Sequence, residues 1–144
     1  MLVGAEDWES LQETLFWLCQ PGIREEVDQA RAEYQAGEAL SQAEVRARLN
    51  LPSRGWMAYA VVMASTALRN LERVPPRYAA AILEFIYVIL AQSPARVGRP
   101  LEREFEGLHG ARRGDYRLLC GIREYDTPVL VVRIEHRAHV HRPR

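Results

Sequence analysis

The chain has 144 residues, 48% hydrophobic and 26% charged, with 19 arginines, no lysine and 19 acidic residues. Length and balance fit one ordinary domain, or a small domain with an attached segment, and exclude a disordered, collagen-like or disulfide-stapled chain. The longest strongly apolar run, 79–91, is interrupted by Glu84 and is too short to span a bilayer. No basic stretch followed by an apolar one opens the sequence, so a cytoplasmic protein without membrane association is expected. Cys19 and Cys120 read as reduced thiols acting as small buried side chains.

The neutral total hides a division. Residues 1–54 hold ten acids and five arginines, a net −5, whereas residues 55–144 hold nine acids and fourteen arginines, a net +5. Two parts of opposite sign attract each other. The absence of lysine removes one common general acid or base.

The first third predicts helices. Over 5–19, Trp8, Leu11, Leu15 and Leu18 step by three, four and three, one face of a 3.6-residue period, and Phe16 and Trp17 widen it. Glu6, Asp7 and Glu9 crowd the first turn, where the helix dipole favours them. Gln20-Pro21-Gly22 breaks the chain before a second helix over about 23–36, with Ile23, Val27, Ala30 and Tyr34 on one stripe and Gly37 past its end. Ser41-Gln42-Ala43-Glu44 has the form of a capping box for a short helix to about Leu49. These 54 residues have too few apolar side chains for a core of their own. Their stripes suit either a partner's groove or a helical subdomain packed on the same chain.

Residues 53–56 read as a linker, and the texture then changes. The run 59–64 is β-prone. Ser65 is placed to cap a helix through Leu68, Leu71 and Val74, ended by Pro75-Pro76. Pro76 opens the next helix, to about Gln92, whose apolar residues are abundant enough to be mostly buried. Strand patterns follow at 109–112, 116–123 and 129–136, with a turn at Arg113-Gly114-Asp115. The order is β-α-α-β-β-β, an α+β fold with two helices against one antiparallel sheet.

Alternation sets Arg117 on the face of Arg123, away from Tyr116 and Leu118. If the helices cover the other face, this one is open and cationic, and suits a phosphate polyanion that arginines can grip bidentately. The alternative is a face whose arginines pair with Glu124, Glu135 and the acidic first third. His109, His136, His139 and His141 can move protons near neutral pH. Three of them, 136, 139 and 141, lack a recognised metal-ligand spacing, and neither a metal nor a cofactor is expected. A phosphate loop, a nucleophile elbow and a Cys-His pair with an orienting acid are all absent from the sequence. The remaining chemistry belongs to arginine, histidine and tyrosine.

The segment PLEREFEGLHGARRGDYRLLCGIRE (100–124) and the tail VVRIEHRAHVHR (131–142) resemble a RelE-family toxin of the RelE/ParE superfamily. The pairing of the R-x-G-x-Y-R turn at 112–117 with the tail carries the likeness, which extends over about 57–144 and includes LRNLERVPPR at 68–77. The stretches VGAEDWESLQETLFWL (3–18) and EVDQARAEYQAGEALSQAEVRARL (26–49) resemble the C-terminal neutralising portion of a RelB or Phd/YefM-type antitoxin.

The resemblance implies two parts, 1–54 an inhibitory helical segment and 55–144 a toxin domain on which it is wrapped. It implies a metal-independent endoribonuclease that cuts mRNA in the ribosomal A site and leaves a 2′,3′-cyclic phosphate. Arg117 matches the family arginine on the scissile phosphate and Arg137 the second catalytic arginine. His141 stands where the family usually has a catalytic tyrosine. His109, Arg112, Arg113 and Arg123 are the expected RNA-binding neighbours. Trp8, Leu11, Leu15, Trp17, Val27 and Tyr34 are the expected contacts of the antitoxin-like segment, acting in cis or alongside a separate antitoxin. Direct DNA binding is not expected, and the implied setting is a bacterial or archaeal cytoplasm. A ParE-like poison of DNA gyrase and a catalytically inert fusion are the alternatives.

Overall fold

The computed structural model of the chain describes residues 4–51, 61–90, 92, 97–102, 105, 107–121 and 129–136. Three helices come first: α1 (Ala5–Leu18), α2 (Ile23–Gln35) and α3 (Gln42–Arg48). Ser41 caps α3 as its sequence requires, with the Glu44 amide donating to Ser41 Oγ at 3.2 Å and the Ser41 hydroxyl donating to the Glu44 carboxylate at 3.1 Å. Then follow β1 (Val61–Met63), α4 (Ser65–Glu72) and α5 (Pro76–Glu84), with Pro76 in the first turn of α5, where a missing N–H costs nothing. The helix does not stay α-helical to Gln92. It widens into a π-helical segment, Phe85–Leu90, whose Phe85, Ile86, Tyr87 and Leu90 are buried. Strands β2 (Arg99–Pro100), β3 (Leu108–Arg113), β4 (Tyr116–Gly121) and β5 (Val129–His136) complete the chain order.

The α+β class holds, but the sheet is mixed rather than antiparallel. Its order is β1-β5-β4-β3-β2, and β1 lies parallel to β5 through Val61↔Val129 and Met63↔Val131. Two helices separate β1 from the next strand, so the chain re-enters the sheet at its far side and only β5 comes back beside β1. The short β2, absent from the expected order, pairs with β3 at the opposite edge. A bulge interrupts β5: Leu119 pairs with Arg133 and Cys120 with Val131, which leaves Val132 without a register partner. Beyond the bulge, the Ile134 amide donates to Asn70 Oδ1 of α4 at 3.0 Å.

Two cores sit on the two sides of the sheet. Leu118, Cys120, Val131 and Ile134 pack under Leu68, Leu71, Ile82, Leu83 and Ile86 of α4, α5 and the π segment. Leu108, Leu119, Leu130 and Val132 pack under Phe16, Trp17, Ile23, Val27 and Ala30 of α1 and α2. Helices α1 and α2 therefore cover the sheet face that the later helices leave bare. Between the two faces, Leu40 exchanges two backbone hydrogen bonds of 2.8 Å with Met63 of β1, so this edge strand is covered. Val45 of α3 then joins the core on the α4–α5 side.

Ser65 is not the cap of α4. Ala64 holds that position, and the Glu33 carboxylate of α2 accepts from the Ser65 amide at 2.9 Å and from its hydroxyl. A carboxylate at a helix N-terminus satisfies a free amide and meets the positive end of the dipole. No described helix is long and apolar enough to cross a membrane. The expected linker at 53–56 lies outside the described residues.

Candidate functional site: a cationic sheet face closed by a helix

The hairpin of β3 and β4 turns on Gly114 and Asp115, with Gly114 at φ 60°, a left-handed conformation open to glycine at no steric cost. Its register pairs Arg112 with Arg117 and Arg113 with Tyr116. Because side chains alternate, these neighbouring pairs point to opposite faces. Arg112 and Arg117 stand on the face covered by α1. Arg113 and His109, on the alternate positions of β3, face the α5 side.

Helix α1 meets the arginines with its polar stripe. Ser10, Glu13, Thr14, Trp17 and Gln20 are buried, spaced three, one, three and three apart. Glu13 is 1% exposed, and its Oε1 accepts from Arg112 Nε at 2.8 Å and from Arg117 Nη1 at 3.0 Å. Its other oxygen leaves no space over Gly110, where an added Cβ would stand 2.5 Å from Oε2. A side chain at 110 would therefore have to displace the Glu13 carboxylate. The Arg117 guanidinium also lies 4.3 Å from the centroid of the Phe16 ring, a cation–π contact. Thr14 Oγ1 donates to the Ser10 carbonyl at 2.8 Å and accepts from the Glu102 amide at 3.1 Å, which ties α1 to the chain beyond β2.

Further ion pairs frame this centre. Arg133 donates to Glu26 of α2 at 3.0 Å, to the Pro21 carbonyl at 3.4 Å and to Glu135 at 3.0 Å. Arg99 pairs with Glu9. The acidic first third thus meets the basic remainder at specific arginines, as the −5 and +5 halves imply. The cationic face is closed over Arg117, whose side chain is 19% exposed, and left partly open at Arg112, whose side chain is 53% exposed.

The expected contacts of the helical segment divide. Trp17 and Val27 are buried and Tyr34 packs at the margin of the same core. Trp8 and Leu15 instead point outward, 54% and 52% exposed, and Leu11 is half-buried. The apolar stripe of α1 is not its buried face, because the surface that α1 covers carries guanidinium groups and demands a carboxylate. Glu13, Gly110 and Glu33 are the residues sequence reasoning missed. The available signal for Glu13 was its place on the stripe of Ser10, Thr14 and Trp17.

His109 is half-buried, and burial holds its imidazole below the ordinary value of 6.5. Burial also pushes the Cys120 thiol up to about 12, while Cys19 is exposed. Cys120 fits its expected place in the core and Cys19 does not. Arg123, Arg137 and His141 lie outside the described residues. Among the described residues no group of three or more His, Cys, Asp or Glu could hold a metal ion.

Fold and site define a small α+β protein whose arginine-bearing sheet face is closed by acidic helices of the same chain. The family model for the ParE toxin of the type II toxin-antitoxin system, parDE, matches residues 61–141, and the chain belongs to that family. The chain is 46% identical to toxin RelG of Mycobacterium tuberculosis over 86 residues, 60% of this chain and 99% of RelG. It is 42% identical to toxin RelE of the same organism over 84 residues, 58% of this chain and 87% of that toxin. It also matches antitoxin RelF of that organism, 52% identical over 54 residues, 38% of this chain and 58% of RelF. Among solved structures, a chain from the crystal structure of the toxin-antitoxin complex RelBE2 from M. tuberculosis aligns with TM-score 0.53 and 46% identity. That alignment covers 56% of this chain and all of the other.

Proposed function

We propose that the chain is a self-inhibited toxin–antitoxin fusion, with residues 55–144 a RelE-like, ribosome-dependent mRNA endoribonuclease and residues 1–54 its inhibitory segment. One observation carries the reading: the buried Glu13 carboxylate pairs with both Arg112 and Arg117, and in this reading it stands in for an RNA phosphate. Guanidinium groups grip either anion through charge-assisted hydrogen bonds. While Glu13 is seated, an RNA phosphate meets both a filled site and a negative charge. The RelF match supports an antitoxin-derived origin for the segment. Tethering makes the encounter intramolecular, with effective concentrations on the order of millimolar for a short flexible linker.

In the released toxin the 2′-oxygen attacks phosphorus and gives its proton to a base. The P–O5′ bond breaks, and the 5′-oxygen takes a proton as the 2′,3′-cyclic phosphate forms. Arg117 holds the charge that grows on the phosphorane, with Arg137 as the second cation. Neither serves as the base, because arginine stays protonated. His141 is the proton-transfer group in the tail. The partner is mRNA in the ribosomal A site, and a separate antitoxin can reinforce the segment in cis.

The ParE designation of the family model favours one second reading, poisoning of DNA gyrase. In vitro translation with mapped mRNA cleavage separates the two, comparing residues 57–144 with the whole chain and with Arg117→Ala in the shorter form. The nuclease reading expects A-site cuts by the short form, lost on Arg117→Ala and suppressed in the whole chain. A folded short form that makes no cuts overturns it, and gyrase-dependent DNA damage would then support the second reading.

A further inference from the structure

The same hairpin end carries a second constellation, on the face that α1 does not touch. Across β3, β4 and β5, Arg113, Tyr116 and His136 stand in one lateral row through the pairs Arg113↔Tyr116 and Tyr116↔His136. Tyr78 of α5 leans over the row. With Ile82 and Asp115 these side chains line a cleft of about 420 Å³, within the range of about 300–1,000 Å³ in which small-molecule sites fall. The Tyr78 and Tyr116 rings are 6.2 Å apart and tilted by 43°. The His136 ring meets Tyr116 edge-on at 5.0 Å. Arg77 fixes Tyr78 from one side, with its guanidinium 4.6 Å from the ring centroid and a 3.0 Å hydrogen bond to the phenol oxygen. Tyr78 remains 43% exposed. Arg113 is exposed, and its side chain makes no ion pair or hydrogen bond to any other described residue.

We propose that this cleft binds a single nucleotide unit, the base against Tyr78 and Tyr116 and the phosphate on Arg113. Tyrosine rings stack on any base face, and a nearby guanidinium supplies the phosphate contact. The cleft lies on the opposite side of the sheet from Glu13, so it is separate from the contact of Glu13 with Arg112 and Arg117. A chain held inactive could thus already be seated on RNA.

This inference rests on the RNA reading above, and binding to the intact chain tests it without requiring cleavage. Calorimetry would compare a five-nucleotide RNA, a nucleoside 5′-monophosphate, inorganic phosphate and an abasic oligomer of the same length. The RNA is expected to bind, with the abasic oligomer and phosphate weaker by tenfold or more. Tyr78→Ala should weaken RNA binding by about tenfold and Tyr78→Phe should preserve it, as loss of one stacked ring implies. Arg113→Ala should lower affinity and flatten its salt dependence. Monophosphate binding as tight as that of RNA supports the site with a free nucleotide as its source, and binding of RNA alone supports a polymer. Equal binding of the abasic oligomer, or no change on Tyr78→Ala, overturns the inference. Binding without cleavage by the toxin portion sinks the nuclease reading alone, and cleavage without binding sinks this one alone.

Discussion

The two faces of the β3–β4 hairpin end make an instructive pair. Within the run Arg112-Arg113-Gly114-Asp115-Tyr116-Arg117, alternate residues face opposite ways. One face presents Arg112 and Arg117 to a buried carboxylate and a phenyl ring of α1. The other presents Arg113 and Tyr116 to an aromatic cleft. A basic run read as one patch therefore faces two ways, divided by the thickness of a sheet. What differs between the two faces is the covering chain, not the charge of the strands. The covered face is neutralised by groups that precede it by about a hundred residues, and the other face needs no such partner.

The comparison can be broken from the covered side. Trp17→Ala removes a side chain with 0% exposure from under α1 and is expected to cost about 4 kcal/mol, as large-to-small changes in a tight core do. Trp8→Ala, on the outer face of the same helix, should change stability by no more than about 0.5 kcal/mol. Chemical denaturation monitored by far-ultraviolet dichroism checks both, and equal effects would contradict the orientation of α1. Gly110→Ala places a methyl group against the Glu13 carboxylate and is expected to cost about 2 kcal/mol, the scale of overpacking. The same substitution in a chain that also carries Glu13→Ala should cost measurably less. Glu33→Gln weakens the carboxylate cap on α4. It should lower stability by about 1 kcal/mol, with faster amide exchange at Ser65 and Thr66.

The smallest effect sits on the other face. His109 has a depressed pKa through burial, so the unfolded chain takes its proton first as pH falls. Stability is then complete above 6.5, declines as pH drops below that value, and levels off once the folded-state pKa is passed. His109→Gln should remove that part of the slope between pH 7 and 5 in thermal melts. An unchanged slope would show that His109 titrates normally.

Much of this architecture was legible beforehand. The three early helices, the cap at Ser41 and the strand 129–136 follow from local periodicity and turn chemistry, which depend on near neighbours. The parallel pairing of β1 with β5 does not, because three residues of strand carry no address for a partner about seventy positions away. Ser65 suits a cap by residue type, and only tertiary structure brings Glu33 to that end of α4. The clearest departure is α1. Periodicity selected Trp8, Leu11 and Leu15 as its buried face, on the premise that burial means apolar contact. The surface beneath α1 bears Arg112 and Arg117, and a charged surface inverts that premise: the helix buries Glu13 and turns Trp8 to solvent. Alternation did place Arg117 opposite Tyr116, yet the proposed set of His109, Arg112 and Arg113 spans both faces. Arg123, Arg137 and His141 fall outside the described residues, so their roles rest on resemblance.

The central claim is that Glu13 closes the cationic face in place of RNA phosphate. Glu13→Arg in the whole chain tests it most directly, because it sets a third cation against Arg112 and Arg117 and leaves the toxin portion unaltered. In a translation extract with mapped mRNA ends, the account predicts A-site cleavage by this variant at least tenfold above the parent chain, abolished when Arg117→Ala is added. Cleavage at the parent's level by a folded Glu13→Arg chain would contradict it.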